Sequence, residues 1–467
     1  MSQIDTPNES EAKASTVAIP AESVAPAPAD EPSLFHHLIV RILRPNVRQG
    51  LVVLVDQGFY SITNFLTAIL VARTCSKEEF GFYVLGLTLL MTLLIVQRSL
   101  VSTPFVVYSP HLKTHDHDAY FGSTLIHHLS ISGIASVGFA LAAGVLYLTR
   151  RGQGMDAVLI ALSLGSVPIL LRDFMRYVLL ADLRFWTSLL MGLAANLATV
   201  IALFWIYVNG WLTAPVAYLV MAGCSGPPAA ILIFSKRKHL SIVKNRLVSD
   251  IIKDWHFGRW LLAASGATTI GVQTIPWFVL LWCGADSVAV FGALMSVAGI
   301  IRPAILGVAA YLTPKLAHHL QSAGLAATIK IGLKVIRTMS VFVVAYIVFM
   351  LVLGDEIVGV FYTARYQGYL IALAIIATGT GLAAHSTTLK ALVRAIGKPE
   401  IEFWSSVYAS IVCVLASIFL IPRFGIVGAA MAMTTWNATF AVTTRLRVAW
   451  ITEKSVTSRD IQHEAIG

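Results

Sequence analysis

Two arginines stand where arginines are expensive to place. Arg98 lies in LLIVQRSLVSTPFVV and Arg302 in AGIIRPAIL, each well inside an apolar stretch. Near the centre of a bilayer such a charge costs roughly 2.5 to 3.5 kcal/mol on insertion scales, so these residues usually face protein or water. A fixed guanidinium offers a planar fork of donors that matches phosphate or carboxylate oxygens through two parallel hydrogen bonds. The chemistry they suit is recognition of an anion within a membrane. The other reading is that both heads snorkel to the nearest headgroups. With about ten residues to the nearer end at roughly 1.5 Å per residue, that is a long reach.

Asp56, Tyr60 and Asn64 recur every four residues and share one helical face. This stripe could line a cavity, with Asp56 pairing an arginine or exchanging a proton; equally, Asp56 could stabilise a helix N-terminus. Arg172, Asp173, Arg176 and Arg184 form a second cluster. It reads either as a cationic entrance for an anionic substrate or as anchoring positive charge. Gln273, Asn196, His385 and Asn437 are single polar residues in apolar segments, of the kind that hydrogen-bond between helices. His111, His115 and His117 with Asp116 and Asp118 bring metal-ligand residue types into PHLKTHDHDAY. A short polar loop explains them as well, and no metal is assigned. Cys75, Cys224, Cys283 and Cys413 lack disulfide or metal spacing. No GxxxxGK[ST], GxSxG or HExxH motif occurs, so neither ATP hydrolysis nor a cofactor is expected.

The elements that must carry these residues follow from composition. Of 467 residues, 57% are hydrophobic and 12% charged. That is about half the charge of an ordinary soluble domain, usually near 25%. The apolar residues come in blocks long enough to cross about 30 Å of hydrocarbon. The pattern predicts an all-α polytopic membrane protein with about twelve spans: 51–73, 82–107, 119–148, 155–180, 186–208 and 212–234, then 260–283, 287–312, 329–353, 368–389, 402–421 and 424–444. Residues 1–32, rich in Ala, Pro, Ser and Glu, read as a disordered cytoplasmic tail without the features of a signal peptide, span 1 serving as an uncleaved anchor. In 33–49, Leu34, Phe35, Leu38 and Ile42 alternate with basic residues, as in a helix lying at an interface. The expected organisation is an N-terminal six-helix bundle (50–234), a basic cytoplasmic linker (235–259), a C-terminal six-helix bundle (260–444) and a cytoplasmic tail (445–467).

The net charge of +10 suggests nucleic-acid binding in a soluble protein, but its distribution here points elsewhere. Lys and Arg crowd one alternate set of loops, including Arg41, Arg44 and Arg48, the cluster 172–184, the linker SKRKHLSIVKNRLVSDIIKDWHFGR, and residues after spans 8, 10 and 12. The opposite set holds only Arg73, Lys77, Arg150, Arg151, Arg365 and Arg423. By the positive-inside rule both termini are expected in the cytoplasm, in a cell (inner or plasma) membrane.

The linker divides the spans equally, and CSKEEFG (75–81) aligns with DSVAVFG (286–292), sharing Ser, Phe and Gly at one spacing. With an even number of spans per half, a duplication would give parallel repeats. VDQGFYSITNFLTAILVARTCSKEEFGFYVLGLTLL in spans 1 and 2, RDFMRYVLLADLRF after span 4 and PRFGIVGAAMA before span 12 together resemble the polysaccharide and O-antigen flippases of the multidrug/oligosaccharidyl-lipid/polysaccharide exporter superfamily. The likeness covers about residues 45–450. It implies two six-helix bundles around a central cavity open alternately to either side. It also implies transport of lipid-linked oligosaccharides, usually on a polyprenyl diphosphate carrier, with membrane lipids and other glycan-assembly membrane proteins as partners. Arg98 and Arg302, with Asp56, Tyr60 and Asn64, would then line the cavity, and Arg172, Arg176 and Arg184 its cytoplasmic entrance. A multidrug or small-solute antiporter of the same superfamily is the alternative. A membrane glycan polymerase or ligase is disfavoured by short outer loops, the longest of which, near GDEIVGVFYTARYQGY, offers only Asp355 and Glu356. A purely structural scaffold is disfavoured by charges that serve no packing need.

Overall fold

The computed structural model describes residues 45–237 and 240–464. The expected tail at 1–32 and the interfacial segment as far as residue 44 lie outside the described residues. Two compact units divide the chain, Met1–Arg48 and Gln49–Gly467, and the architecture below is that of the second.

Hydrocarbon offers the backbone no hydrogen-bond partners, so a crossing segment must satisfy its own N–H and C=O groups, which a helix does. Among the described residues the secondary structure is entirely helical. The first half contains α1 (Pro45–Thr74), α2 (Lys77–Gln97), the short α3 (Thr103–Tyr108), α4 (Thr114–Leu148), α5 (Met155–Ala181), α6 (Phe185–Val208) and α7 (Ala214–Ser235). The second contains α8 (Lys244–Gln273), α9 (Ile275–Cys283), α10 (Ala285–Ala298), α11 (Arg302–Tyr362), α12 (Leu370–Ala395) and α13 (Pro399–Glu464).

Two of these helices double back. Gly324 in α11 and Gly425 in α13 have φ of +80° and +56°, in the left-handed region that favours glycine. In an unbroken helix residues 410 and 436 would stand about 39 Å apart, yet Trp436 Nε1 donates to Ser410 Oγ at 3.1 Å. Likewise Tyr346 donates to the carbonyl of Ala298 at 2.7 Å. Among the described residues ten helices are long and apolar enough to cross a membrane, and the bent pair Ala285–Ala298 with Arg302–Val308 makes eleven. Dividing the 51-residue stretch Glu400–Trp450 at Gly425 makes twelve. Their outward faces carry Ile134, Leu141, Val145 and Leu148, up to 81% exposed. Such a surface requires a hydrocarbon solvent.

The motif CSKEEFG builds a helix start. Ser76 Oγ accepts from the Glu79 amide at 3.1 Å, and Glu79 Oε1 accepts from the Ala214 amide at 2.9 Å, tying α2 to the start of α7. The two aligned motifs meet where the halves touch. A Cβ on Gly81 would lie 2.2 Å from the Ala285 carbonyl oxygen, and one on Gly292 would lie 2.4 Å from Val84 Cγ2. The shared glycine lets α2 and α10 approach closely, and Phe80, Tyr83, Leu85, Val288, Phe291 and Leu294 form the surrounding core.

The structure differs from the expected boundaries in four places. Span 8, expected as one segment at 287–312, is broken between Ala298 and Arg302 and bent by 46°. The expected outer loop GDEIVGVFYTARYQGY is helical as far as Tyr362, where Thr363, at φ +75°, ends the helix. The segment between spans 8 and 9 is helical on both sides of Gly324, because a helix need not stop at the edge of the hydrocarbon. In the stretch read as a basic linker, α8 begins at Lys244. Tyr120 donates to Asp254 Oδ1 at 2.6 Å and Arg246 Nη1 to Asp116 Oδ1 at 2.7 Å, so α8 is packed against the first half.

Candidate functional site

Both in-span arginines stand at irregularities of their helices, a π-turn interruption of a continuous span in the first half and a break in the second. After Gln97 the α2 helix widens into a π turn, Arg98–Ser102, before α3 resumes with Pro104 near its start. Gln97 Nε2 donates to Ser102 Oγ at 2.6 Å across this turn. Gly258 of α8 packs against it so closely that a Cβ there would lie 2.6 Å from the Ser99 carbonyl oxygen. In the second half α10 ends at Ala298, and Arg302 opens α11 with Pro303 beside it. The Tyr346 hydroxyl holds the Ala298 carbonyl at this break. At each irregularity an arginine lines a cavity.

The first-half cavity, of about 220 Å³, is lined by Asp56, Gln57, Tyr60, Met91, Leu94, Arg98, Ile169, Arg172, Asp173, Arg176, Met191 and Gly192. That is room for about seven waters at roughly 30 Å³ each. Arg98 grips Asp173 through two bonds, Nε to Oδ2 at 2.8 Å and Nη2 to Oδ1 at 2.7 Å. Arg176 Nε donates to Asp56 Oδ2 at 2.7 Å, with the carboxylate only 8% exposed. Arg172 instead finds neutral partners: Asn196 Oδ1 at 2.8 Å, the Gly192 carbonyl at 3.4 Å and the Tyr60 ring, whose centroid is 5.9 Å away. Three guanidiniums thus face two carboxylates, leaving one positive charge without a counter-ion. Gly192 is part of the construction, since a Cβ there would lie 2.2 Å from Asp56 Oδ1.

The second-half cavity, of about 290 Å³, is lined by Val272, Arg302, Ile305, Leu306, Thr380, Ala383, Thr387, Met433, Trp436 and Asn437. This wall has one cation and no carboxylate. The Arg302 guanidinium keeps accessible surface and forms no ion pair or hydrogen bond among the described residues. It stands at the N-terminus of α11, where unpaired N–H groups and the helix dipole add positive potential.

The structure therefore brings Asp56, Tyr60, Arg98, Arg172 and Arg176 into one cavity and places Arg302 in another. Asn64 is half-buried and lies outside both walls, and Arg184 is exposed at the start of α6. Asp173, Gly192 and Asn196 complete the first site. Asp173 could have been found from its place between Arg172 and Arg176, whereas Gly192 carries no signal until its neighbour is known. Lys390, read as a loop residue, lies over the rings of Trp436 and Phe440 at 5.6 and 4.8 Å. His117 lies 3.6 Å from both Asp118 and Asp182. Among the described residues no group of three His, Cys, Asp or Glu side chains could hold a metal ion.

No family model matches the chain, and no curated protein does. Solved structures do. One described as an inward-facing conformation of a multidrug resistance MATE family transporter of the MOP superfamily has a TM-score of 0.73 at 16% identity, covering 85% of this chain and 96% of its own. The outward-facing conformation of a transporter described in the same words scores 0.61 at 16% identity, covering 87% and 96%. A MOP superfamily transporter from Pyrococcus furiosus, described as having a binding pocket of reverse polarity that suggests a different function, scores 0.62 at 17% identity, covering 87% and 94%. The likeness establishes the fold, two helical bundles of the MATE type.

Proposed function

We propose that the chain is a flippase that moves lipid-linked oligosaccharide or polysaccharide precursors across the cell membrane by alternating access. The observation that carries this reading is the charge of the two cavities. Each half carries an arginine-bearing cavity, and together they hold four guanidiniums against two carboxylates. A diphosphate head group cannot cross hydrocarbon unaided, and guanidiniums that match its oxygens lower that barrier. Arg172 and Arg302, which lack carboxylate partners, are the groups ready to receive it. The chemistry is binding and release, with no bond made or broken, and nothing in either wall supplies a nucleophile beside a general base.

The higher TM-score to the inward-facing structure supports a state closed at the outer face and open to the cytoplasm, where the precursors would load. That orientation agrees with the positive-inside reading, termini in the cytoplasm. The second reading, a multidrug or small-solute antiporter, is favoured by the names of the structural neighbours. The excess of guanidiniums argues against cationic drugs as cargo.

Complementation tests both. In a bacterial strain lacking its own polysaccharide flippase but making the cognate lipid-linked glycan, the wild-type chain is expected to restore surface glycan. Arg98→Ala and Arg302→Ala, at matched membrane expression, are expected to lose it. Restoration by all three would keep the flippase and remove these arginines from its mechanism. No restoration with the protein in the membrane would favour the antiporter.

A further inference from the structure

Six basic residues fall on the side of the membrane where the charge pattern expects few. Two of them, Arg73 and Arg365, are taken up in a reciprocal contact. Arg73, at the C-terminus of α1, donates from Nε to the Phe361 carbonyl at 2.9 Å and from Nη2 to the Val360 carbonyl. Arg365, just past the C-terminus of α11, donates from Nη2 to the Cys75 carbonyl at 2.7 Å and to the Ala72 carbonyl. The last carbonyls of a helix have no intrahelical partner and carry the negative end of its dipole. Here each half caps the other's helix end.

We propose that Arg73 and Arg365 form a clasp that holds this end of the molecule shut, and that opening it requires both guanidiniums to leave the opposite half together. This rests on the reading of the chain as an alternating-access transporter. Beneath the clasp the seam is aromatic. Phe65 meets Phe361 and Tyr362 at 5.3 and 6.4 Å between ring centroids, and Phe80 meets Tyr362 and Tyr366 at 6.1 and 5.9 Å. Phe80, Tyr362 and Tyr366 are fully buried in this seam, so opening the clasp, whose guanidiniums are themselves exposed, must part a packed aromatic core at the same time. That favours two discrete states over a continuum. Outside α8, Trp277 Nε1, which donates to Thr88 Oγ1 at 2.9 Å, also joins the halves toward this end. The close glycine contacts at Gly81 and Gly292 supply a place to pivot. Arginine suits the task at Arg73 because Nε and Nη2 reach successive carbonyls as a fork, which a lysine cannot do, while Arg365 reaches two carbonyls through Nη2.

Spin labels at Glu78→Cys and Glu356→Cys, both exposed and on opposite halves, read the separation directly. They are placed in a chain carrying Cys75→Ala, Cys224→Ser, Cys283→Ser and Cys413→Ala, reconstituted in lipid nanodiscs. Arg73→Ala with Arg365→Ala is expected to raise the ratio of separated to closed populations at least tenfold. The pair Arg73→Lys with Arg365→Lys, which keeps the charge but loses the fork, is expected to shift it less; it carries the test if the alanine pair does not fold. Arg151→Ala, exposed beyond α4, is expected to leave the ratio unchanged. An unchanged distribution in the double variants overturns the clasp, even in a chain that transports. A shifted distribution upholds it even where complementation fails, and then the flippase reading falls instead.

Discussion

The two halves share a motif, a span count and an arginine at a helix irregularity, yet they treat that arginine in opposite ways. In the first half Arg98 and Arg176 are tied to Asp173 and Asp56, and the cavity wall is a network of ion pairs. In the second half Arg302 faces threonines, an asparagine and a tryptophan. A carboxylate partner makes a buried guanidinium affordable but also competes for the hydrogen bonds an incoming anion needs. On the proposed function, the first cavity would serve rigidity with one spare charge and the second reception.

The largest effect expected from this contrast is on stability. Asp56→Ala leaves Arg176 without its counter-ion and should destabilise the protein by about 3 kcal/mol. Arg302→Ala removes a group with no partner to orphan and should stay within about 0.5 kcal/mol. Thermal unfolding in detergent compares the two. An equal loss in Arg302→Ala would mean that its charge is held by contacts as strong as those of Asp56, and the contrast would fail.

Backbone packing around the sites should differ in the same direction. Gly192→Ala pushes a methyl group against Asp56 and should destabilise by roughly 1 to 3 kcal/mol. Gly307→Ala, in the second half just past Arg302, meets nothing within 4 Å, and should stabilise the helix by about 0.5 to 1 kcal/mol. The same unfolding measurement checks both signs.

How much of this was legible beforehand depends on what kind of fact it is. The spans follow from apolar blocks and the length of a crossing, so α4, α5, α6 and α7 fall close to where the sequence puts them. The irregularities were less legible, although Pro104 and Pro303 follow the two arginines and mark weak points. Arg172 and Arg176 read as a basic cluster at a span end because charge alone does not say which way a helix is turned. The pairing with Asp56 joins residues 120 positions apart and needed the bundle itself. Gly192 was invisible for the same reason, since its importance is the place of Asp56.

The contrast can also be moved from one half toward the other. Asp173→Asn frees Arg98, whose side chain is 34% exposed and so tolerates the loss, and gives the first cavity the character of the second. Inorganic pyrophosphate, titrated calorimetrically into the purified protein, should bind about tenfold tighter to this variant, a difference of about 1.4 kcal/mol. Unchanged affinity would mean that Asp173 orients Arg98 for the anion rather than competing with it.

The smallest expected effect is a dependence on pH at an end of the first half. Asp182, between α5 and α6, accepts from Lys236 Nζ, and His117 Nε2 lies 3.6 Å from its other oxygen. Burial acts to raise its pKa, but these two partners outweigh burial and hold it below the ordinary carboxylate value. A carboxyl group with a depressed folded-state pKa contributes stability that is present above the unfolded value and lost as pH falls through the folded one. The first half should therefore lose stability as pH falls below about 4, the ordinary carboxylate value. Asp182→Asn should flatten that part of the stability profile while lowering the plateau at neutral pH. The same acid-side slope in the variant would place the sensitivity in other carboxylates and detach it from this cluster.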